Sequence, residues 1–213
     1  MRLYIRFPLS YRSVEGLLFE RGVIVSYETI RAWCLKLGPL IAAELKRRRS
    51  QPKGQWHLDE MYIKMNGKTY YLWRAVDADG MVLDILVQER RNQAAAEAFL
   101  RRIVEGYPEA PRVTVTDKLA SYGPAIKKVL PRTEHRRHNG LNNRAENSHQ
   151  PMRQRERAMR KFKLPAQAQR VLEPFGPIWE HFCPGRHRLS AGQYRAVLRC
   201  HFATWREVTG TAT

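Results

Sequence analysis

The sequence is short of cysteines, of acidic residues and of long apolar runs, and each shortage excludes a class of protein. Cysteine occurs three times, at Cys34, Cys183 and Cys200. The number is odd and no CxxC pair is formed, which argues against a disulfide-stapled secreted scaffold and for reduced thiols inside a cell. No apolar stretch nears the roughly 20 residues of a bilayer-spanning helix, and the amino terminus has no signal-like apolar segment. Internal repeats and low-complexity tracts are missing as well. Only 20 Asp+Glu stand against 38 Lys+Arg, a net charge of +18. That excess implies a polyanionic partner, nucleic acid or an anionic membrane surface, because each phosphate neutralised by Lys or Arg releases counterions. What the chain does have, 213 residues with 43% hydrophobic and 10% aromatic content, suffices for one main core and a small accessory module.

The first fifty residues read as two helices joined by a tight turn. One starts at Ser10 and carries Val14, Leu17 and Leu18; Gly22 supplies a positive φ; Ser26 caps a second helix whose inner positions are Tyr27, Ile30, Trp33, Cys34 and Leu37. This is helix-turn-helix grammar, in which the second helix enters the major groove with Glu28, Thr29, Arg31, Ala32 and Lys36 outward. An ordinary helical hairpin has the same pattern. The run from Lys46 to Gly54 ends in helix breakers and places a linker and domain boundary near Ser50, either as a solvated basic helix end or as a phosphate contact.

From Trp56 the apolar period changes from helical to alternating. Asn66-Gly67 and Asp79-Gly80 divide the stretch into strands over Trp56 to Met65, Lys68 to Val76 and Met81 to Gln88, an antiparallel meander. Asn92 caps a helix over Ala94 to Val104. A buried strand follows at Val113 to Thr116, then a helix at Tyr122 to Leu130, a short strand at Thr133 to Arg137, a polar loop, and a long helix opening near Asn142. The order predicts an α/β fold, a mixed sheet flanked by helices of the ribonuclease H-like type. The carboxy-terminal region, with Trp179, Phe182, Tyr194, Leu198, Phe202 and Trp205, reads as helices covering that sheet.

Three acids fall at telling places. Asp59 lies in the first strand, Asp117 closes the fourth and Glu146 opens the long helix; in this topology strands one and four are neighbours, so the three carboxylates can converge. They would repel one another unless they shared divalent cations, and Mg²⁺, with Mn²⁺ as substitute, favours such donors. Two ions there would serve phosphodiester cleavage and strand transfer. Helical steps place Gln150, Arg153, Arg157 and Arg160 on the face of Glu146, where the arginines can follow a DNA backbone, while Ala145, Met152 and Met159 pack inward. Taken alone, Glu146 among arginines is more often an ion pair than a catalytic acid.

Glu60, one residue beyond Asp59, is expected on the opposite sheet face, and Asp77, Asp79 and Asp84 read as turn formers or edge charges. His57 is a neighbour of the centre or a structural histidine. His149 and Lys118 are phosphate contacts or surface residues. The spacing of His181, Cys183, His187 and Cys200 is irregular for zinc.

The segments Trp56-His57-Leu58-Asp59-Glu60, Tyr71 to Asp77, Thr116-Asp117-Lys118 and Asn142 to Gln150 resemble the DDE transposases of insertion-sequence family six, over nearly the whole chain. The resemblance implies a helix-turn-helix module and linker over residues 1–50 and a ribonuclease H-like catalytic domain over 51–213. It further implies a triad of Asp59, Asp117 and Glu146, divalent metal, terminal inverted repeats and target DNA as substrates, a homo-oligomeric synaptic complex, and a cytoplasmic, nucleoid-associated location in a prokaryote. Arg153 stands where the family has a basic residue seven after its Glu. The chain departs from the family in a shorter Asp117 to Glu146 spacing and in starting about one helix late, which predicts an incomplete DNA-binding module. The competing readings are a helix-turn-helix protein that binds DNA without cutting it and a ribonuclease H-like nuclease or resolvase.

Overall fold

The computed structural model describes residues 1–49, 51–52, 54–107, 109–138, 150–158, 162–184 and 189–210. The chain divides into two compact units, one of residues 1–49 with 174–213 and one of residues 50–173.

In the first unit, α1 (Arg2–Arg6), α2 (Tyr11–Phe19) and α3 (Tyr27–Arg47) follow one another. Ser10 caps α2 by accepting from Ser13 N, Gly22 turns the chain at φ 75°, and Ser26 Oγ accepts from Thr29 N at 3.2 Å. Glu15 on α2 accepts the Tyr27 N–H at 3.1 Å, so two otherwise unbonded donors at the start of α3 are satisfied. Tyr4 of α1 stacks on Tyr11 with centroids 4.1 Å apart. The expected helix-turn-helix elements are therefore present, with one difference in which face is buried. Ile30, Cys34, Gly38, Ile41, Ala42 and Leu45 form the inner stripe of α3, whereas Trp33 is 46% and Leu37 40% exposed. Those two side chains flank the stripe, one helical step to its side.

The carboxy-terminal segment also departs from expectation. The end of α7 (Pro165–Phe182, from Pro174 on) and α8 (Ala191–Val208) belong with the amino-terminal helices and not with the sheet. Aromatic and ionic contacts account for it. Phe182 meets Trp205 edge-on at 5.0 Å and Phe202 at 5.5 Å, and the Arg2 and Arg6 guanidinium groups lie over the Phe202 ring. Arg48 on α3 pairs with Glu207 at 2.8 Å and Arg49 with Glu180 at 3.2 Å.

The second unit holds β1 (Gln55–Met65), β2 (Lys68–Asp77), β3 (Val82–Gln88), α4 (Gln93–Gly106), β4 (Val113–Thr116), α5 (Tyr122–Val129), β5 (Glu134–Arg137), α6 (Gln150–Ala158) and the first half of α7. The sheet order is β3-β2-β1-β4-β5, with β1, β2 and β3 antiparallel and β4 and β5 parallel to β1. This is the mixed sheet expected from the element order. Asn66 (φ 49°) and Gly67 (φ 77°) form the two-residue connection between Met65 and Lys68, the left-handed geometry that favours Asn-Gly. Asp77 Oδ1 accepts the N–H groups of Asp79 and Met81 and shapes the second turn, as expected of a turn former.

One sheet face buries Trp56, Leu58, Trp73 and Ala75 against Ala96, Phe99 and Ile103 of α4 and Tyr122 and Ile126 of α5. The Trp73 ring meets Phe99 at 6.2 Å and Tyr122 edge-on at 5.5 Å. On the other face Arg74 donates to Met152 Sδ of α6 at 3.0 Å. At the β3 edge, the Gln169 amide of α7 accepts from Val87 N and donates to Ile85 O, which pairs backbone groups that an edge strand leaves open.

Truncating Phe99, fully buried between α4 and the sheet, to Ala should cost about 3–5 kcal/mol. Urea unfolding of the two proteins checks this, and a loss under about 1 kcal/mol contradicts the assigned core.

Candidate active site

The parallel ladder of β1 with β4 ends at the pair Leu58 and Thr116. One residue further along each strand stand Asp59 and Asp117, which therefore leave the ladder at the same level. Asp59 alternates with Leu58 and lies on the α6 face, directly across from Arg74 in the β1–β2 register. Glu60 lies on the α4/α5 face. Alternation separates Asp59 from Glu60 as expected, but Asp117 sits past the end of its strand, where carboxylates from both faces reach it. One oxygen from each of Asp59, Glu60 and Asp117 lies within 4.8 Å of the others.

Each acid is held by local bonds. Asp117 Oδ1 accepts from Leu119 N at 2.9 Å. The Thr116 hydroxyl donates to Asp117 O at 2.9 Å and contacts His135 Nε2 at 2.8 Å, so the backbone carrying Asp117 is braced from β5. Tyr122 OH donates to Glu60 Oε2 at 2.8 Å, and Arg91 donates to Glu60 Oε1 and reaches Asp117 Oδ2 at 3.4 Å. Burial, with the charge of Asp117 added, pushes the Glu60 carboxyl up to about 7. Burial likewise raises the Tyr122 hydroxyl well above its usual value.

The donor set suits a hard divalent cation. Three carboxylates this close repel one another, and all their oxygens are of the kind Mg²⁺ or Mn²⁺ takes. Among the described residues this is the one group of His, Cys, Asp and Glu able to hold a metal. No zinc cluster forms among the described residues. His181 bonds the His201 carbonyl at 2.8 Å and stacks on the His201 ring.

The other expected site residues are distributed as follows. Glu146, His149 and Arg160 lie outside the described residues, as do Asn142 to Ser148. Arg153 and Arg157 are exposed on α6, whose Met152 is buried. Lys118 is exposed, and its carbonyl accepts from Arg137. On α3, Lys36 is exposed, Arg31 pairs with Glu28 at 3.3 Å, and the Thr29 hydroxyl is engaged with Ser26 at 2.9 Å. His57 is buried, with its Nε2 3.2 Å from the Gln55 amide.

The family model described as a DDE domain, DDE_Tnp_IS240, matches residues 53–182. The chain belongs to the DDE transposases of insertion-sequence family six. It is 36% identical over 127 residues to a Staphylococcus aureus transposase for insertion sequence-like element IS431mec, covering 60% of this chain and 56% of that protein. A second S. aureus relative, the transposase for insertion sequence element IS257 in transposon Tn4003, is 35% identical over the same shares. The chain thus spans about half the length of the curated relatives it matches. Among solved structures, the Mos1 mariner transposase catalytic domain with raltegravir and magnesium aligns at TM-score 0.47 and 16% identity, over 78% of this chain and 92% of that one.

Four residues of this unit are not singled out as site residues by the sequence pattern. Glu60 was set aside because strand alternation says nothing about a loop residue that joins two faces. Arg91 is distant in sequence from both its partners. Arg74 and Arg155 are arginines buried in the unit, 3% and 2% exposed. For Arg155 a signal existed, its position three residues after Met152 on the inward face of α6.

Because Glu60 holds its proton more tightly folded than unfolded, it adds stability that is complete below about pH 4.5 and lost as pH rises through about 7. Thermal melts in EDTA should show wild-type stability declining across that window and a smaller decline for Glu60→Gln. Identical slopes would contradict the buried, shifted carboxyl.

Proposed function

We propose that the chain is the transposase of a bacterial insertion sequence, which binds terminal inverted repeats and performs metal-dependent DNA cleavage and strand transfer. The observation that carries the reading is the convergence of Asp59 and Asp117 at the end of the parallel β1–β4 ladder, in a chain that belongs to a DDE family. Asp59, Asp117 and Glu146 are the metal ligands in this reading, with Mg²⁺ the natural ion, Mn²⁺ its substitute and two ions in the working centre. Bound divalent metal supplies Lewis-acid polarisation of the attacking and leaving oxygens of the phosphodiester.

The chain's own residues supply the rest. The Leu119 N–H and the Thr116 hydroxyl orient Asp117. Arg74 stands directly opposite Asp59 in the β1–β2 register, on the same face of the sheet. Arg153, Arg157, Arg160, Lys118 and His149 bear on DNA phosphates, and Thr29, Arg31 and Lys36 on the groove read by α3. The net charge of +18 supports a DNA partner. A homo-oligomer that pairs two ends and a cytoplasmic location complete the reading. No helix among the described residues is long and apolar enough to cross a membrane.

Joining of a pre-cleaved, labelled inverted-repeat end into plasmid tests the proposal directly. Joining should require Mg²⁺ or Mn²⁺, stop in EDTA, and fall to background in Asp59→Asn and Glu146→Gln while both variants still bind the end. Hydrolysis without joining points to a nuclease, and binding without either reaction to a DNA-binding protein; each result overturns the transposase reading. Arg157→Ala should weaken binding to all sequences alike and reduce the slope of log affinity against log salt by about one. A loss confined to the inverted repeat contradicts a backbone contact.

A further inference from the structure

We propose that Arg91 is the acidic centre's built-in counter-ion, a positioning residue that holds Glu60 and Asp117 together until a divalent cation displaces its guanidinium. The inference rests on the metal-centre reading above and deepens it.

Local structure delivers Arg91 to the centre. β3 ends at Gln88 and α4 starts at Gln93, and the connection is fastened at both ends. Asn92 accepts from Ala95 N at 3.0 Å, and the Gln88 side chain donates to Ala95 O at 2.8 Å. Arg91 stands immediately before the cap, so its side chain starts from a fixed backbone position.

Its fork spans two acids, Glu60 through Nε and Nη2 and Asp117 through Nη2. Both belong to the three carboxylates whose oxygens lie within 4.8 Å of one another. A guanidinium suits this bridging because it is planar and permanently charged. Asp117 Oδ2 cannot serve Arg91 and a hard divalent ion at the same time. Mg²⁺ needs a ligand oxygen at about 2.0–2.1 Å, and two cations at that spacing repel.

Exposure shows which partner gives way. The Glu60 side chain is 1% exposed and also bonded to Tyr122, whereas Arg91 is 41% exposed. The arginine therefore approaches from the solvent side and can withdraw without opening the core behind Glu60. Metal binding and the Arg91 bridge are thus competing uses of the Asp117 carboxylate, and removing the arginine favours the metal.

Mn²⁺ titration of the full chain at low salt, read from the electron paramagnetic resonance signal of free Mn²⁺, tests this without any DNA reaction. Arg91→Gln should bind Mn²⁺ roughly three- to fivefold more tightly than wild type, the size of one modest ion pair. Arg91→Lys, which keeps the charge, should stay within about twofold. Arg101→Gln, which removes an arginine paired with Glu97 on α4, should leave affinity unchanged. Unchanged or weaker binding in Arg91→Gln, or an equal gain in Arg101→Gln, overturns the counter-ion proposal alone. Mn²⁺ binding that survives Asp117→Asn undiminished overturns the metal-centre reading and the proposal with it.

Discussion

Parallel pairing of β1 with β4 forces acids to meet. The ladder ends at Leu58 and Thr116, so the next residues, Asp59 and Asp117, emerge together however unfavourable their charges. Glu60 arrives from the other face because Asp117 already lies beyond its strand. Like charges in such a place are tolerated only with compensation, and the compensation is visible. One carboxyl is pushed toward neutrality at about 7, Arg91 bridges two of the acids, and Arg74 faces the third across the β1–β2 ladder. A site arranged in this way stores an electrostatic demand that a divalent cation meets better than any side chain.

The rest of the sheet unit serves that convergence. Trp73, wedged between Phe99 and Tyr122, fixes α5 against the sheet, and α5 in turn carries the hydroxyl that holds Glu60. The cap at Asn92 aligns α4 and sets the position of Arg91 in one step. Core packing and site geometry are here the same set of contacts, which is why a change in the aromatic cluster would reach the acids.

Several acids elsewhere among the described residues pair with basic side chains. Asp84 pairs with Arg102, Glu97 with Arg101 and Lys128, and Glu44 with Arg47 and Arg48. Such pairs contribute little individually. Arg153, Arg157 and Lys118 are exposed.

Much of this was legible in the residue order. Alternating and helical periods, Asn-Gly and Asp-Gly turns and the caps at Ser10, Ser26 and Asn92 are local signals, and the elements they imply are present at nearly the expected bounds. Asp59 and Asp117 were identifiable because the strand order alone makes β1 and β4 neighbours. Glu60, Arg91 and Arg74 were not, since each owes its place to contacts with residues far away in the chain. The same holds for residues 174–213, whose apolar pattern says that they cover something but not which surface. Sequence by itself determined the elements, the charge and the pair of aspartates; tertiary structure decided what surrounds them, because a side chain's partners across a sheet edge depend on where strands end and not on any period along the chain.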